Sequence, residues 1–162
     1  MQTVRQVLKD KQRRVWSVSA DTSVADAVKV MTEKDVGAIM VIEAEQVVGI
    51  ITERDCVRKV IGQGRAADAT PVKEIMTPRV LYVRPEQTME DCMVLMNQRH
   101  LRHLPVFDNE QLVGMVSIRD AIKYVIDDRE FIIEQLENYI LNRPSWETRQ
   151  GISPIAPIVQ DS

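Results

Sequence analysis

Cysteine is nearly absent from this chain of 162 residues, with two in all, and histidine is equally scarce. Cys56 and Cys92 fall in two predicted helices at places that do not correspond, which argues against a disulfide framework or a thiolate zinc site; they read as small core residues. His100 and His103 have no carboxylate or thiol cluster beside them, so no metal centre is expected. No apolar run approaches the roughly 18 residues that a membrane span requires, and the opening MQTVRQVLKD has no apolar stretch of the kind that directs secretion. A soluble, cytoplasmic protein is expected. An excess of positive charge is missing too: a formal net charge of −3 provides no global field for nucleic acid or an anionic membrane. Positive charge is local, with Lys9, Lys11, Arg13 and Arg14 in one cluster and Arg99 and Arg102 in another. The first cluster reads as a solvated charge run, although Arg13 or Arg14 could reach a phosphate. Enzymatic machinery is also lacking, with no nucleophile beside a base, no metal-ligand set and no Walker-type phosphate loop.

What the chain does have is one message stated twice. GIITERD at residues 49–55 returns as GMVSIRD at residues 114–120, and the offset of 65 residues holds without a gap from 15–61 to 80–126. It pairs Val18 with Val83, Met31 with Met96, Gly49 with Gly114 and Asp55 with Asp120. Upstream, Val4, Val7 and Leu8 pair with Val72, Ile75 and Met76 at an offset of 68, so the first copy carries a three-residue insertion near Lys11, Gln12 and Arg13. A long unit seen only twice implies two small domains packed on each other, because a solenoid needs at least three. Hydrophobic residues make up 44% of the chain, enough for such a core. Periodicity predicts strands at 15–18, 38–42 and 47–51 and helices opened by Ser23 and Thr52. The second of these helices runs through Ile61, where Gly62 and Gly64 end it. The second copy repeats the pattern with strands at 80–83, 104–107 and 112–116 and helices at 88–99 and 117–126. Each copy is β-α-β-β-α, and the fold class is α+β.

The duplicated motif has a chemistry of its own. Thr52 and Ser117 stand where a strand gives way to a helix, so a hydroxyl and unpaired backbone N–H groups converge on one spot suited to phosphate. Arg54 and Arg119 add a guanidinium two residues on. Asp55 and Asp120 are acceptor-only carboxylates suited to both hydroxyls of a ribose, and the positive end of the helix favours their ionised form. Gly49 and Gly114 leave room for a close backbone or ligand. The same Ser/Thr-x-x-Asp spacing is also a helix capping box, which many helices carry without binding anything. Two copies in register, each with its arginine and glycine, favour a ligand.

Both halves resemble the CBS domain, named for cystathionine β-synthase, over roughly residues 1–126, and the pair is similar to bacterial tandem-CBS proteins of signal-transduction type. The resemblance rests on the two G-h-h-[ST]-x-R-D segments and on the hairpin RHLPVFD–GMVSIRD. It implies domains at 1–64 and 65–126, packed as a pseudo-two-fold pair through their sheets. It also implies two clefts that take AMP, ADP, ATP, NAD(H) or S-adenosylmethionine, in a sensor of energy or redox state and not a catalyst. In such pairs Gly37 and Ala38, and the corresponding Arg102 and His103, lie against the base or the phosphates. Small residues there would admit an adenine edge, and the Arg–His pair would favour a phosphate. A homodimer and an effector protein of unknown identity are the partners implied. Residues 127–162 lie beyond the repeat and are read as a separate C-terminal helix over 127–141, with an apolar stripe, and an extended tail from Arg143 that carries Trp146, Ile152, Ile155 and Ile158.

Overall fold

A computed structural model describes residues 1–11 and 14–140. The elements run α1 (Val4–Lys11), β1 (Ser17–Val18), α2 (Val24–Lys34), β2 (Ala38–Glu43), β3 (Gln46–Thr52), α3 (Glu53–Lys59), α4 (Met89–Arg99), β4 (His103–Asp108), β5 (Gln111–Ser117) and α5 (Ile118–Ile140), with two single 3-10 turns at Ile61–Gln63 and Val72–Glu74. The fold is α+β as expected. Residues 1–125 form one compact unit, and the described residues from Ile126 onward belong to another.

The repeat survives in fine structural detail. Ser23 and Thr88 cap α2 and α4 through their hydroxyls, and both helices end on a left-handed residue, Asp35 at φ 51° and His100 at φ 54°. The β2–β3 and β4–β5 hairpins turn through Ala44–Glu45 and Asn109–Glu110, all four at positive φ, which matches the twist of tight antiparallel hairpins. Each hairpin bears a bulge at the corresponding place, between Val41 and Ile42 and between Val106 and Phe107. Val18 pairs with Val41 in parallel, and Val83 pairs with Val106.

One predicted strand is missing, and a single residue accounts for it. In the first repeat β1 joins β2 and β3 in a three-stranded sheet, where the Met40 amide donates to the Trp16 carbonyl at 2.9 Å. The residue corresponding to Met40 is Pro105, which has no N–H to offer Leu81. Residues 80–83 are therefore no strand but a single bridge at Val83 beside a two-stranded sheet.

The segments that lead into the repeats are exchanged. Val4 and Val7 of α1 are fully buried among Val83, Met89, Cys92, Met96 and Leu104 of the second repeat. Val72 and Ile75 are buried among Val24, Met31, Ile51 and Cys56 of the first. Paired backbone bonds hold the exchange in place: Val4 to Gln87 and Met89 to Gln2 on one side, Val24 to Thr70 and Val72 to Thr22 on the other, at 2.8–3.0 Å. The boundary between residues 64 and 65 thus divides the repeat but not the two cores. A third apolar cluster, built on Ala38, Met40 and Ile50 with Val80, Leu112 and Met115 packed against it, joins the sheets of the two repeats. Both cysteines are buried core residues, and burial pushes each thiol up to about 11.

The C-terminal helix was expected as a new element after Ile126. It is instead the continuation of the second repeat's closing helix, since α5 runs unbroken for 23 residues from Ile118 to Ile140. No glycine interrupts it, whereas the closing helix of the first repeat is followed by a 3-10 turn that ends on Gly64 at φ 66°. Within the second unit Phe131, Ile132, Ile133 and Leu136 are exposed. Leu141 and the tail with Trp146 lie outside the described residues, as do Gln12 and Arg13. No described helix is long and apolar enough to cross a membrane.

Candidate functional site

The two helix starts singled out above face one groove of about 820 Å³. This size is within the range of small-molecule sites. Gly37, Ala38, Thr52, Arg54 and Asp55 line it from the first repeat, and Arg102, His103, Ser117 and Arg119 line it from the second. Residues of both clefts implied by the resemblance line this one groove. Asp120 is set just behind the lining, and Lys11, which does line the groove, reaches it.

Each motif is first of all a capping box. The Asp55 amide donates to the Thr52 hydroxyl at 3.2 Å, and the Thr52 amide and hydroxyl both donate to Asp55 Oδ2 at 3.0 Å. In the second copy the Ser117 amide and hydroxyl donate to Asp120 Oδ2 at 2.7 and 2.9 Å. The caps explain why a short polar residue and an aspartate stand three apart. They do not explain the cations. Lys59 Nζ lies 3.0 Å from Asp55 Oδ1, and Lys11 Nζ lies 2.5 Å from Asp120 Oδ2. Burial opposes ionisation of Asp120, but the hydrogen bonds from Lys11 and the Ser117 amide hold its carboxyl below the ordinary range.

The groove is strongly basic for a protein of net charge −3. Eight Lys and Arg residues line it against three acidic ones. Arg54, Arg58 and Lys59 come from α3, Arg102 and Arg119 from the second repeat, and Lys11, Arg14 and Arg79 from the segments that lead into the repeats. Lys11 and Arg14 were read in the sequence as part of a solvated run. Lys11 is 19% exposed and ion-paired, because α1 packs on the second repeat and delivers its last residue into the groove. The offset of 68 that aligns the lead-in segments also aligns Lys11 with Arg79 and would have singled out both. Arg54 reaches from the first repeat to the His100 carbonyl of the second at 3.4 Å.

His103 links the repeats at the centre of the groove. A Cβ on Gly37 would lie 3.1 Å from His103 Cε1 and 3.2 Å from Nε2, so the bare strand entrance of the first repeat makes room for this ring. Sequence reasoning kept that space for an adenine edge. Burial, reinforced by the positive field of Lys11, Arg102 and Arg119 against the opposing Asp120, lowers the imidazole to about 4. The ring is therefore neutral at pH 7. Its Nδ1 is buried and has no partner among the described residues. An orphaned polar atom of this kind is uncommon in a settled core.

The CBS domain family matches residues 4–62 and again residues 72–127. A mitochondrial CBS domain-containing protein of Arabidopsis thaliana, CBSX3, is 38% identical over 148 residues, covering 85% of this chain and 71% of its own. The CBS domain-containing protein YhcV of Bacillus subtilis is 36% identical over 66% of this chain and 76% of its own. Among solved structures, a CBS-domain protein of Burkholderia ambifaria superposes with a TM-score of 0.75 at 46% identity, over 78% of this chain and 96% of that one. With two matched repeats, two exchanged lead-in segments and a groove between them, this chain belongs to the CBS-domain family as a tandem pair.

Proposed function

We propose that this CBS pair is a non-catalytic, cytoplasmic regulatory module that binds an adenosine-containing ligand, AMP, ADP, ATP or NAD(H), in its groove and passes occupancy to a partner protein. One observation carries this reading: the duplicated helix starts line the same groove, and that groove concentrates positive charge in an acidic protein. Phosphate on cations at helix starts and ribose on a flanking carboxylate is the chemistry such a surface favours. A CBS domain pair that shares this fold at 21% identity was solved with 5′-methylthioadenosine and S-adenosyl-L-methionine bound. The groove residues assigned to the ligand are Gly37, Ala38, Thr52, Arg54, Asp55, Arg102, His103, Ser117, Arg119 and Asp120. Self-association is part of the reading: a related CBS-CP12 protein, 30% identical, is hexameric, and a homodimer would cover the apolar residues of α5.

The test is calorimetric titration with AMP and with NADH, alone and in competition. Binding of at least one, with mutual exclusion if both bind, is expected. A ligand at 100 times its Kd should stabilise the fold by about 2.7 kcal/mol in a thermal melt. Flat responses to AMP, ADP, ATP, NAD, NADH and S-adenosylmethionine would overturn the reading. Arg119→Ala should weaken AMP by about tenfold, the loss of one charge-assisted contact, and leave adenosine nearly unchanged. Equal losses for both would remove Arg119 from the phosphate site.

A further inference from the structure

We infer that Lys11 is a selectivity residue for phosphate-bearing ligands in the second repeat's half of the groove. Its ammonium holds Asp120 and transfers to the phosphate when ribose hydroxyls take its place on that carboxylate. The inference rests on the binding reading above and assigns a role to a residue outside the duplicated motif.

Asp120 Oδ2 receives three donors: the Ser117 amide at 2.7 Å, the Ser117 hydroxyl at 2.9 Å and Lys11 Nζ at 2.5 Å. The two from Ser117 are the cap of α5 and cannot leave without opening the helix start. Lys11 comes from another element, as the last residue of α1, and among the described residues its other hydrogen bond is to the Met115 carbonyl at 3.2 Å. It is the one of the three donors that a ribose can replace without opening the helix start. The first repeat is arranged differently. Asp55 is paired with Lys59 on its own helix, and that ammonium is also held by the Ile75 carbonyl at 2.9 Å. The second repeat carries Tyr124 where the first carries Lys59, so its carboxylate depends on a lysine delivered from α1.

The exchange favours one class of ligand. Lys11 and Asp120 are each only 19% exposed. Breaking such a pair leaves a poorly solvated ammonium, and that is costly unless another anion takes it up. Adenosine would displace Lys11 and offer nothing in return. AMP brings its own anion, and the lysine stem is flexible enough to follow it. The ion pair thus sets a threshold that a nucleoside meets poorly and a nucleotide meets well.

The measurement compares adenosine with AMP on the wild-type chain and on Lys11→Met, which keeps the stem and removes the charge. Occupancy is read from the Ser117 and Asp120 backbone amide signals by NMR, so that the second repeat's half is the one observed. Lys11→Met is expected to bind adenosine more tightly and AMP no more tightly, so that the preference for AMP falls by about tenfold or more. An unchanged preference would overturn the inference while leaving the binding reading intact. Failure of the wild-type chain to bind AMP at all would instead overturn the binding reading. The Lys11 Nζ signal of the wild-type chain gives a check that needs no variant: it should shift with AMP, and an Nζ signal unmoved by saturating AMP would overturn the transfer.

Discussion

Gly49→Val is expected to lower the unfolding free energy by about 3 kcal/mol, at the upper end of the cost of overpacking a core. A Cβ at this position would lie 2.5 Å from Met76 Sδ, 2.9 Å from Met76 Cγ and 3.1 Å from the Thr77 carbonyl oxygen. A flexible sulfur can swing aside, but the backbone oxygen cannot. Thr77 is tied to Ile50 in both directions, amide to carbonyl, at 2.9 and 3.1 Å. Accommodating valine therefore means detaching the exchanged segment from the first repeat. At Gly114 the nearest atoms are all of the Leu8 side chain, both methyls at 2.6 and 2.8 Å and Cγ at 3.2 Å, and Leu8 can change rotamer, so a loss nearer 1 kcal/mol is expected for Gly114→Val. Urea denaturation of the two variants measures the difference. Equal stabilities, with ligand affinity reduced in Gly49→Val, would mean that this glycine serves the ligand and not the exchanged segment.

These glycines mark what the sequence could and could not convey. The offset of 65 residues carried the hairpins, bulges and caps with it, because each depends on local spacing that both copies keep. The offset of 68 paired Val4 and Val7 with Val72 and Ile75, but neither their helix nor the repeat against which they are buried was legible. Periodicity identifies an apolar face without naming its partner, and that partner lies more than 70 residues away in Val83 and Met89. Gly49 and Gly114 were read as room for a close backbone or ligand; the neighbours are the Met76 side chain with the Thr77 backbone at Gly49 and the Leu8 side chain at Gly114, all from the exchanged segments. Pro105 was visible in the sequence as a strand residue. Its consequence appears only beside Met40, whose amide makes the bond that proline cannot. The site was legible in the same partial way. Thr52, Arg54, Asp55, Ser117 and Arg119 line one groove, and Asp120 lies behind it, held by Lys11. Lys11 was read as part of a solvated run and Arg58, Lys59 and Arg79 were not singled out, because a cation on a helix end or loop is ordinarily solvated; the exchange of segments is what brings Lys11 and Arg79 to the groove.

His103 should make stability depend on pH between about 6.5 and about 4. The folded imidazole titrates near 4 and an unfolded histidine near 6.5, so the unfolded chain takes up its proton first as the pH falls. The contribution is intact above pH 6.5 and is lost progressively down to about pH 4. A difference of that size corresponds to about 3 kcal/mol at the low end. Lys11, Arg102 and Arg119 disfavour the proton and Asp120 favours it, with burial the larger cause. The Asp120 carboxyl is shifted the other way, below its ordinary value, so the stability it contributes is kept above the unfolded carboxylate range and fails only at pH values lower still. The two effects therefore occupy separate windows. His103→Gln keeps a neutral polar group beside Gly37 and removes the proton. Its stability, measured by urea denaturation at pH 7, 6, 5 and 4.5, should stay nearly level where the wild-type curve descends. Parallel curves for the two proteins would show that the ring is solvated enough to titrate normally, and the buried, neutral histidine at the meeting of the repeats would have to be given up.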